Sequence, residues 1–436
     1  MEIMSKLRIV HMSDLHFKNE GSEDQRIVID ALKADISSGI FSDGKSADLL
    51  VFSGDLVQAG KSETIFAAPY NNLIYPVLAS LGLKDDRFFI CPGNHDIDRE
   101  VVRQQAYVET GLKSTLISRD SINAFVDQFI GTDLSKDQLP EPFARMKPFY
   151  KGVWKSKTDS GAIITPFSAI QTLEINGLRV AVCSFNSAWR CTGEADGVDR
   201  GNLIIGERVI DHAVQNTKDS AIRIALFHHP FDWLTDADRT AVEARLHSEF
   251  SAFFFGHVHS SAPTYTRGPL GGAVYSQAGC LYQTRSYFNG YSVVELDLEN
   301  QQVSIQAREY SDRIRSFTPA IAAIPGGEVR FDYPFLRGGS GDNLMALLAT
   351  VRPAIKRLGD EHVRLADESG GVVLDKHFIP PPLTKPRRVS DYDKPEGDED
   401  DKSEEYSISD FGKRVKLRSV GQARGGQDYA DPLHGA

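Results

Sequence analysis

Cysteine is scarce in this chain: four in 436 residues, and Cys91, Cys183, Cys191 and Cys280 show no CxxC spacing. That pattern argues against a disulfide framework and a structural thiolate metal site. It leaves buried free thiols, which suit a reducing compartment. Long apolar runs are missing too, since no uncharged stretch reaches the ~18–20 residues that span a bilayer. Lys6 and Arg8 near the N-terminus are not followed by an apolar signal core, so no signal peptide is expected. These absences together predict a cytoplasmic protein with no membrane partner.

A strongly basic stripe is also lacking. The net charge is -11, and the nine acids and two lysines between Asp391 and Glu405 account for -7 of it. The sequence therefore offers no electrostatic footprint for nucleic acid, although a local groove remains compatible with it. What is present, 41% apolar and 25% charged residues, fits a folded chain long enough for one large α/β domain plus extra material.

Short apolar runs alternate with helical patterns through the first hundred residues. Leu7–Met12, Leu49–Phe52 and Phe88–Ile90 read as strands. Val28, Leu32 and Ile36 fall at helical spacing before Gly39, and a second helical stretch, about 62–81, is interrupted by Pro69 and Pro76. This alternation predicts βαβ units and a largely parallel sheet. From about 101 to 168 the rhythm gives way to a helical insertion or lid, in which Tyr107, Phe125, Phe129, Phe143, Phe149, Tyr150 and Trp154 are expected mainly to seat it on the core. Strands resume at Leu178–Phe185, Ile222–Phe227, Ala252–Phe255, Ala273–Gln277, Tyr291–Leu298 and Val303–Arg308. A small C-terminal extension, 311–379, carries one amphipathic helix (Leu344 to Leu358). The charged tail, 380–436, has the composition of a disordered segment.

Five of these strands end in metal-type ligands: Asp14 and His16, Asp55, Asn94 with His95, His228 with His229, and His257 with His259. The pairs Asp14/His16 and His257/His259 sit at i, i+2, where an extended backbone would turn both side chains to one face. Parallel strands bring their C-terminal ends to one edge. A lone histidine is usually a satisfied core or turn residue, and His11 reads that way, but five strand ends repeating the pattern point to one shared site. The donors are carboxylate, amide and imidazole without thiolate, which suits Mn, Fe or Zn. Seven ligands exceed one tetrahedral ion and serve two divalent ions if one carboxylate bridges.

The ordered blocks DLH (14–16), GDLV (54–57), GNHD (93–96), HHP (228–230) and GHVH (256–259) resemble the calcineurin-like metallophosphoesterase superfamily over roughly residues 7–310. The resemblance implies an α/β fold, a metallophosphoesterase β-sandwich of two mixed sheets flanked by helices, within a domain spanning 1–310. It also implies hydrolysis of a phosphodiester by attack of metal-bound hydroxide. By motif position Asp14, His16 and His259 would hold one metal, Asp55 would bridge, and Asn94, His228 and His257 would hold the other. His95 would stabilise the transition state or protonate the leaving oxygen.

Departures narrow the branch. Gly54-Asp55-Leu56-Val57-Gln58-Ala59-Gly60 lacks the Asp and Arg of the Ser/Thr phosphoprotein phosphatase block, so any carboxylate that orients His95 would be Asp96 or Asp98. Gln58 stands where the DNA-repair nuclease branch typically has His. The blocks CPGNHD and HHP look more like the class III cyclic-nucleotide phosphodiesterases, which implies a nucleotide-type substrate. After the strand ending at Phe185, Asn186 and Arg190 are candidates to meet the phosphate and Trp189 a base, while His229 either supports the site or touches substrate. Alternative readings are a nuclease acting on DNA or RNA, and a regulatory or scaffold subunit with a protein partner bound through 380–436.

Overall fold

The computed structural model describes residues 6–333, except for 19–21, 42–43, 45, 133, 135–138, 195–196, 269–270 and 283–287, together with two short backbone segments farther along. The strands are β1 (Lys6–Met12), β2 (Leu49–Phe52), β3 (Phe88–Ile90), β4 (Ile163–Ile164), β5 (Ser168–Ile175), β6 (Leu178–Phe185), β7 (Ile222–Leu226), β8 (Ala252–Phe255), β9 (Thr264–Gly268), β10 (Gly271–Gln277), β11 (Gly290–Asp297), β12 (Gln302–Ser311), β13 (Ser316–Pro319) and β14 (Glu328–Asp332). The helices are α1 (Glu23–Ser37), α2 (Ala67–Pro69), α3 (Tyr75–Ser80), α4 (Arg99–Gln104), α5 (Ala106–Thr115), α6 (Arg119–Phe129), α7 (Lys147–Gly152), α8 (Glu207–Asn216) and α9 (Asp236–Glu249). None of the described helices is long and apolar enough to cross a membrane.

Two mixed sheets form the frame. One runs β13-β12-β11-β1-β2-β3, with β14 also paired to β12, and the other runs β4-β5-β6-β7-β8-β10-β9. The expectation of a largely parallel sheet holds only for β1-β2-β3 and for β6-β7-β8-β10; β11 pairs antiparallel with β1, and β5 with β6. The reason is that strands following one another directly in the chain, β5–β6, β9–β10, β11–β12 and β12–β13, pair as hairpins, which can only be antiparallel. Strand β5 was not foreseen, because Gln171, Thr172 and Glu174 interrupt its apolar alternation.

The pleat divides the core into two. Leu7, Ile9, Leu49 and Val51 of the first sheet join Ile222, Ile224, Leu226, Ala252 and Phe254 of the second in one cluster between the sheets. Their alternates Val10, Met12, Leu50, Phe52, Ala225 and Phe253 pack outward in the cluster that receives the helices. Both faces of these central strands are thus covered, which is why they read as continuous apolar runs. His11 falls on the inner face, buried between Ser276 Oγ (2.9 Å) and Ser53 Oγ (2.9 Å), the scaffold role expected of it.

The helical stretch expected at 62–81 forms, but the prolines do not break it. A 3-10 turn and α2 lead into a π-helical turn, Tyr70–Ile74, and then α3. Pro76 has no N–H to give the carbonyl four residues back, and the widened turn lets Tyr75 N–H bond Tyr70 O instead. In the insertion, Phe125 stacks on Trp189 with centroids 5.4 Å apart, and Trp154 Nε1–H donates to Ile90 O at the end of β3 (3.0 Å). Most of its aromatics seat it on the core, while Tyr107 is exposed. All four cysteines are buried and free.

The chain divides into compact units at 1–346 and 347–436. Of the second, the described part is a two-residue antiparallel ladder, Leu383–Thr384 with Glu405–Tyr406. The helix expected at 344–358 and almost all of the charged tail lie outside the described residues.

Candidate metal centre

Each site residue sits just beyond a strand, where the chain turns sharply. Of the eight non-glycine residues with positive φ among the described residues, five are Asp14 (54°), His16 (47°), Asp55 (58°), His257 (69°) and His259 (55°). The backbone at both i, i+2 pairs is therefore not extended. The side chains converge because each residue turns left-handed, at a cost of roughly 1–3 kcal/mol apiece. Neighbouring loops hold that strain in place: Asp14 N–H donates to Gly54 O, His16 N–H to Asp55 O (both 3.0 Å) and Gly256 N–H to His228 O (3.1 Å).

The convergence gives two donor groups. In the first, Asp14 Oδ1 lies 3.1 Å from His259 Nε2 and 3.8 Å from His16 Nε2, and the two imidazole nitrogens are 3.4 Å apart. In the second, Asn94 Oδ1 is 3.1 Å from His228 Nε2 and 3.2 Å from His257 Nδ1, with 3.3 Å between those nitrogens. Asp55 stands between them: its Oδ2 is 3.3 Å from His228 Nε2, and ligand atoms of Asp14, Asp55 and His228, and of His16, Asp55 and His95, each lie within 4.8 Å of one another. The seven ligand residues named by the sequence are therefore brought together, with His95 beside them.

The surrounding contacts aim these groups. His228 Nδ1 faces Ser53 O at 2.6 Å, so Nδ1 donates there and Nε2 is left as the atom aimed at the site, where it could ligate once its proton is displaced. Gly54 makes room for it: at φ +96°, a Cβ there would fall 2.5 Å from His228 Nδ1. His95 N–H donates to Asp55 Oδ1 (2.7 Å). Among the described residues no carboxylate is hydrogen-bonded to the His95 ring, and neither candidate, Asp96 or Asp98, plays that part. The ring's Nδ1 lies 2.9 Å from Gln58 O instead. Asp96 is occupied with three backbone N–H groups, of Asp55 (2.8 Å), Gly93 (2.9 Å) and Val57 (3.1 Å), and Asp98 caps α4.

The electrostatics suit cations. Burial alone would raise Asp14, but its hydrogen bond to His259 and the nearby His228 charge bring it down to about 2. Burial opposes ionisation of Asp55 too, and the His228 and His95 charges hold it well below the usual carboxylate range. Burial pushes both His16 and His257 down to about 4, whereas, against burial, the Asp55 carboxylate holds His228 up at about 9 and the hydrogen bond to Asp14 raises His259; bound cations would displace the protons from those two rings. Two ionised carboxylates, an amide oxygen and four imidazoles, with ring nitrogens aimed at one another rather than at donors, fit two divalent ions. The oxygen and nitrogen donors suit Mn, Fe or Zn.

The three residues expected to touch substrate are used elsewhere. Asn186 is buried, donating to Tyr150 Oη and Pro166 O (both 3.1 Å) and accepting from Ala188 N–H (3.0 Å). Arg190 is buried in an ion pair with Glu109 at 2.7 Å. His229 is fully buried behind His228 and His257, its Nδ1 against Ser187 Oγ (2.8 Å), and burial holds it well below the usual imidazole range. Trp189 belongs to the core, its Nε1–H donating to Ile204 O (2.7 Å), and exposed Arg200 pairs with Asp232.

Sequence reasoning missed other neighbours of the site. The Cys280 thiol, pushed up by burial, donates to Asp14 O (3.0 Å) and shares a potential ligand group with His16 and His259. The Trp233 ring lies 4.0 Å from that of His257, and Arg99 Nη2 is 3.0 Å from His95 Nδ1. None of these belongs to a motif block, so no spacing announced them.

A family model described as Calcineurin-like phosphoesterase matches residues 7–261. The uncharacterized metallophosphoesterase-like protein YydB of Bacillus subtilis is 22% identical over 263 residues, 59% of this chain and 50% of its own length. The chain thus spans about half the length of that curated relative. Among solved structures, the purple acid phosphatase PPD1 of yellow lupin (Lupinus luteus) aligns at 11% identity and TM-score 0.42, over 76% of this chain and 54% of its own. The sulfate thiohydrolase SoxB of Thermus thermophilus aligns at 12% identity and TM-score 0.34, over 80% and 60%.

Proposed function

The chain belongs to the calcineurin-like phosphoesterase family, and on that premise we propose that it is a dinuclear metal-dependent hydrolase of phosphodiester bonds in a nucleotide-type substrate. The observation that carries the reading is the position of Asp55 between two donor groups, Asp14/His16/His259 and Asn94/His228/His257, with His95 alongside. Two divalent ions held there would polarise the phosphoryl oxygens and bring the pKa of a water toward neutrality.

The protein's own groups do the rest. Asp55 and Asp14 supply the charge that retains the ions, and Ser53 O keeps His228 in its ligating tautomer. His95 is anchored twice, by its N–H on Asp55 and by Nδ1 on Gln58 O, which leaves Nε2 to donate to the phosphoryl group or the departing oxygen. The preference for a diester rests on the second block, which lacks the Asp and Arg of the phosphoprotein phosphatases. Trp233, half-buried with its ring against His257, offers an aromatic surface for a base.

Purified protein supplied with Mn²⁺ should hydrolyse bis(p-nitrophenyl) phosphate faster than p-nitrophenyl phosphate, and a screen of cyclic nucleotides and dinucleotides should yield a substrate. Inactivity with Mn²⁺, Fe²⁺, Zn²⁺, Co²⁺ and Ni²⁺ alike overturns the enzymatic reading. Cleavage of DNA or RNA that disappears in Asp55→Ala, without small-nucleotide turnover, moves the substrate to nucleic acid.

A further inference from the structure

Three groups converge on one nitrogen of His95. Nδ1 lies 2.9 Å from Gln58 O, 3.2 Å from Gln58 Nε2 and 3.0 Å from Arg99 Nη2. A ring nitrogen has either a proton to give or a lone pair to share. Once Nδ1–H is committed to the Gln58 carbonyl, Arg99 faces it as donor to donor. Among the described residues nothing else answers the guanidinium. Among the described residues no carboxylate pairs with Arg99, and its buried Nε has no hydrogen-bond partner. A cation set at the edge of a metal centre, with its donors unanswered, calls for an anion brought from outside.

The placement of Arg99 is built. It opens α4 directly after Asp98, whose side chain caps that helix, four residues beyond His95. Gly193 (φ +70°) lies against its stem, where a Cβ would come within 2.6 Å of Arg99 Cγ and 2.9 Å of Nε. Only glycine lets that loop close on the side chain. We propose that Arg99 binds the substrate, its guanidinium taking a non-bridging oxygen of the phosphoryl group beside His95. A planar fork of donors matches a phosphate oxygen pair better than a point charge does. The inference rests on the phosphoesterase reading above and adds a residue that no motif block contains.

The test uses the full-length Mn²⁺-loaded protein and two readouts: calorimetric binding of inorganic phosphate, which needs no turnover, and KM and kcat for bis(p-nitrophenyl) phosphate. Losing a charge-assisted contact should weaken phosphate binding and raise KM by roughly 10- to 100-fold in Arg99→Met, with metal content unchanged. Arg99→Lys should fall between, and Gly193→Ala should show the same defect more mildly. Wild-type phosphate affinity and KM in Arg99→Met overturns the proposal while leaving the phosphoesterase reading standing, as does a variant whose only defect is lost metal or lost fold in both Arg99→Met and Arg99→Lys. Wild-type protein that neither binds phosphate nor hydrolyses diester overturns both.

Discussion

The Asp96 carboxylate accepts the backbone N–H of Asp55 at 2.8 Å, while the backbone N–H beside it, that of His95, donates to Asp55 Oδ1 at 2.7 Å. The loops after β2 and β3 therefore clasp each other through the shared carboxylate of the site. Asp96 touches no donor nitrogen of the metal groups, yet it fixes where Asp55 stands.

Replacing Asp96 with Ala leaves three buried N–H groups unpaired, of Asp55, Gly93 and Val57. The expected cost is about 3 kcal/mol or more in unfolding free energy, with Mn²⁺ affinity weakened roughly 10- to 100-fold because Asp55 is released. Denaturant titration and metal titration of the folded variant check both. Unaltered metal affinity would mean that Asp55 holds its place without the clasp.

Gly54→Ala acts first on the His228 donor group. The added methyl meets His228 2.5 Å from Nδ1, and that ring cannot stay both on Ser53 O and aimed at Asn94. The variant should bind one ion per chain, in the Asp14/His16/His259 group, where the wild type binds two. Retention of two ions, measured by elemental analysis, would contradict the assignment of His228.

Arg190→Met distinguishes a buried structural ion pair from a substrate contact. Glu109 keeps buried Arg145 at 3.5 Å but loses its 2.7 Å bond to Arg190, which should lower stability by roughly 1.5–3 kcal/mol, while KM for a diester stays at the wild-type value. A raised KM at unchanged stability would restore Arg190 to the substrate.

Asp238 makes stability fall with pH. Burial pushes it up to about 6, against the hydrogen bonds it accepts from Ile205 N–H and Gly206 N–H. Below the ordinary carboxylate value both folded and unfolded forms hold the proton. As pH rises toward 6 the unfolded chain releases it first, so the folded state loses up to about 3 kcal/mol relative to acid conditions. In Asp238→Asn this component vanishes, and the stability difference between variant and wild type should widen between pH 4 and 7. Parallel curves would contradict it.

Much of the site was legible because its residues lie in short blocks at strand ends, where apolar runs stop abruptly. The geometry that unites them was not. Asp14, His16, His257 and His259 converge through left-handed backbone, a choice enforced by bonds between loops distant in sequence. Asp96 clasps a backbone forty-one residues away, a relation without periodicity. Trp189 and Arg190 misled for the opposite reason: polar and aromatic residues after a strand resemble a substrate loop, until the insertion packs Phe125 and Glu109 over them. Apolar alternation gave strands but not their direction, and the mixed character of both sheets was legible only through the motif resemblance.

The central claim, two ions sharing Asp55, is tested most directly by anomalous diffraction from crystals of the Mn²⁺-loaded protein. Two peaks per chain roughly 3.5–4 Å apart are expected, one among Asp14, His16 and His259, the other among Asn94, His228 and His257, with Asp55 touching both. A single peak, or two that do not share Asp55, would contradict it.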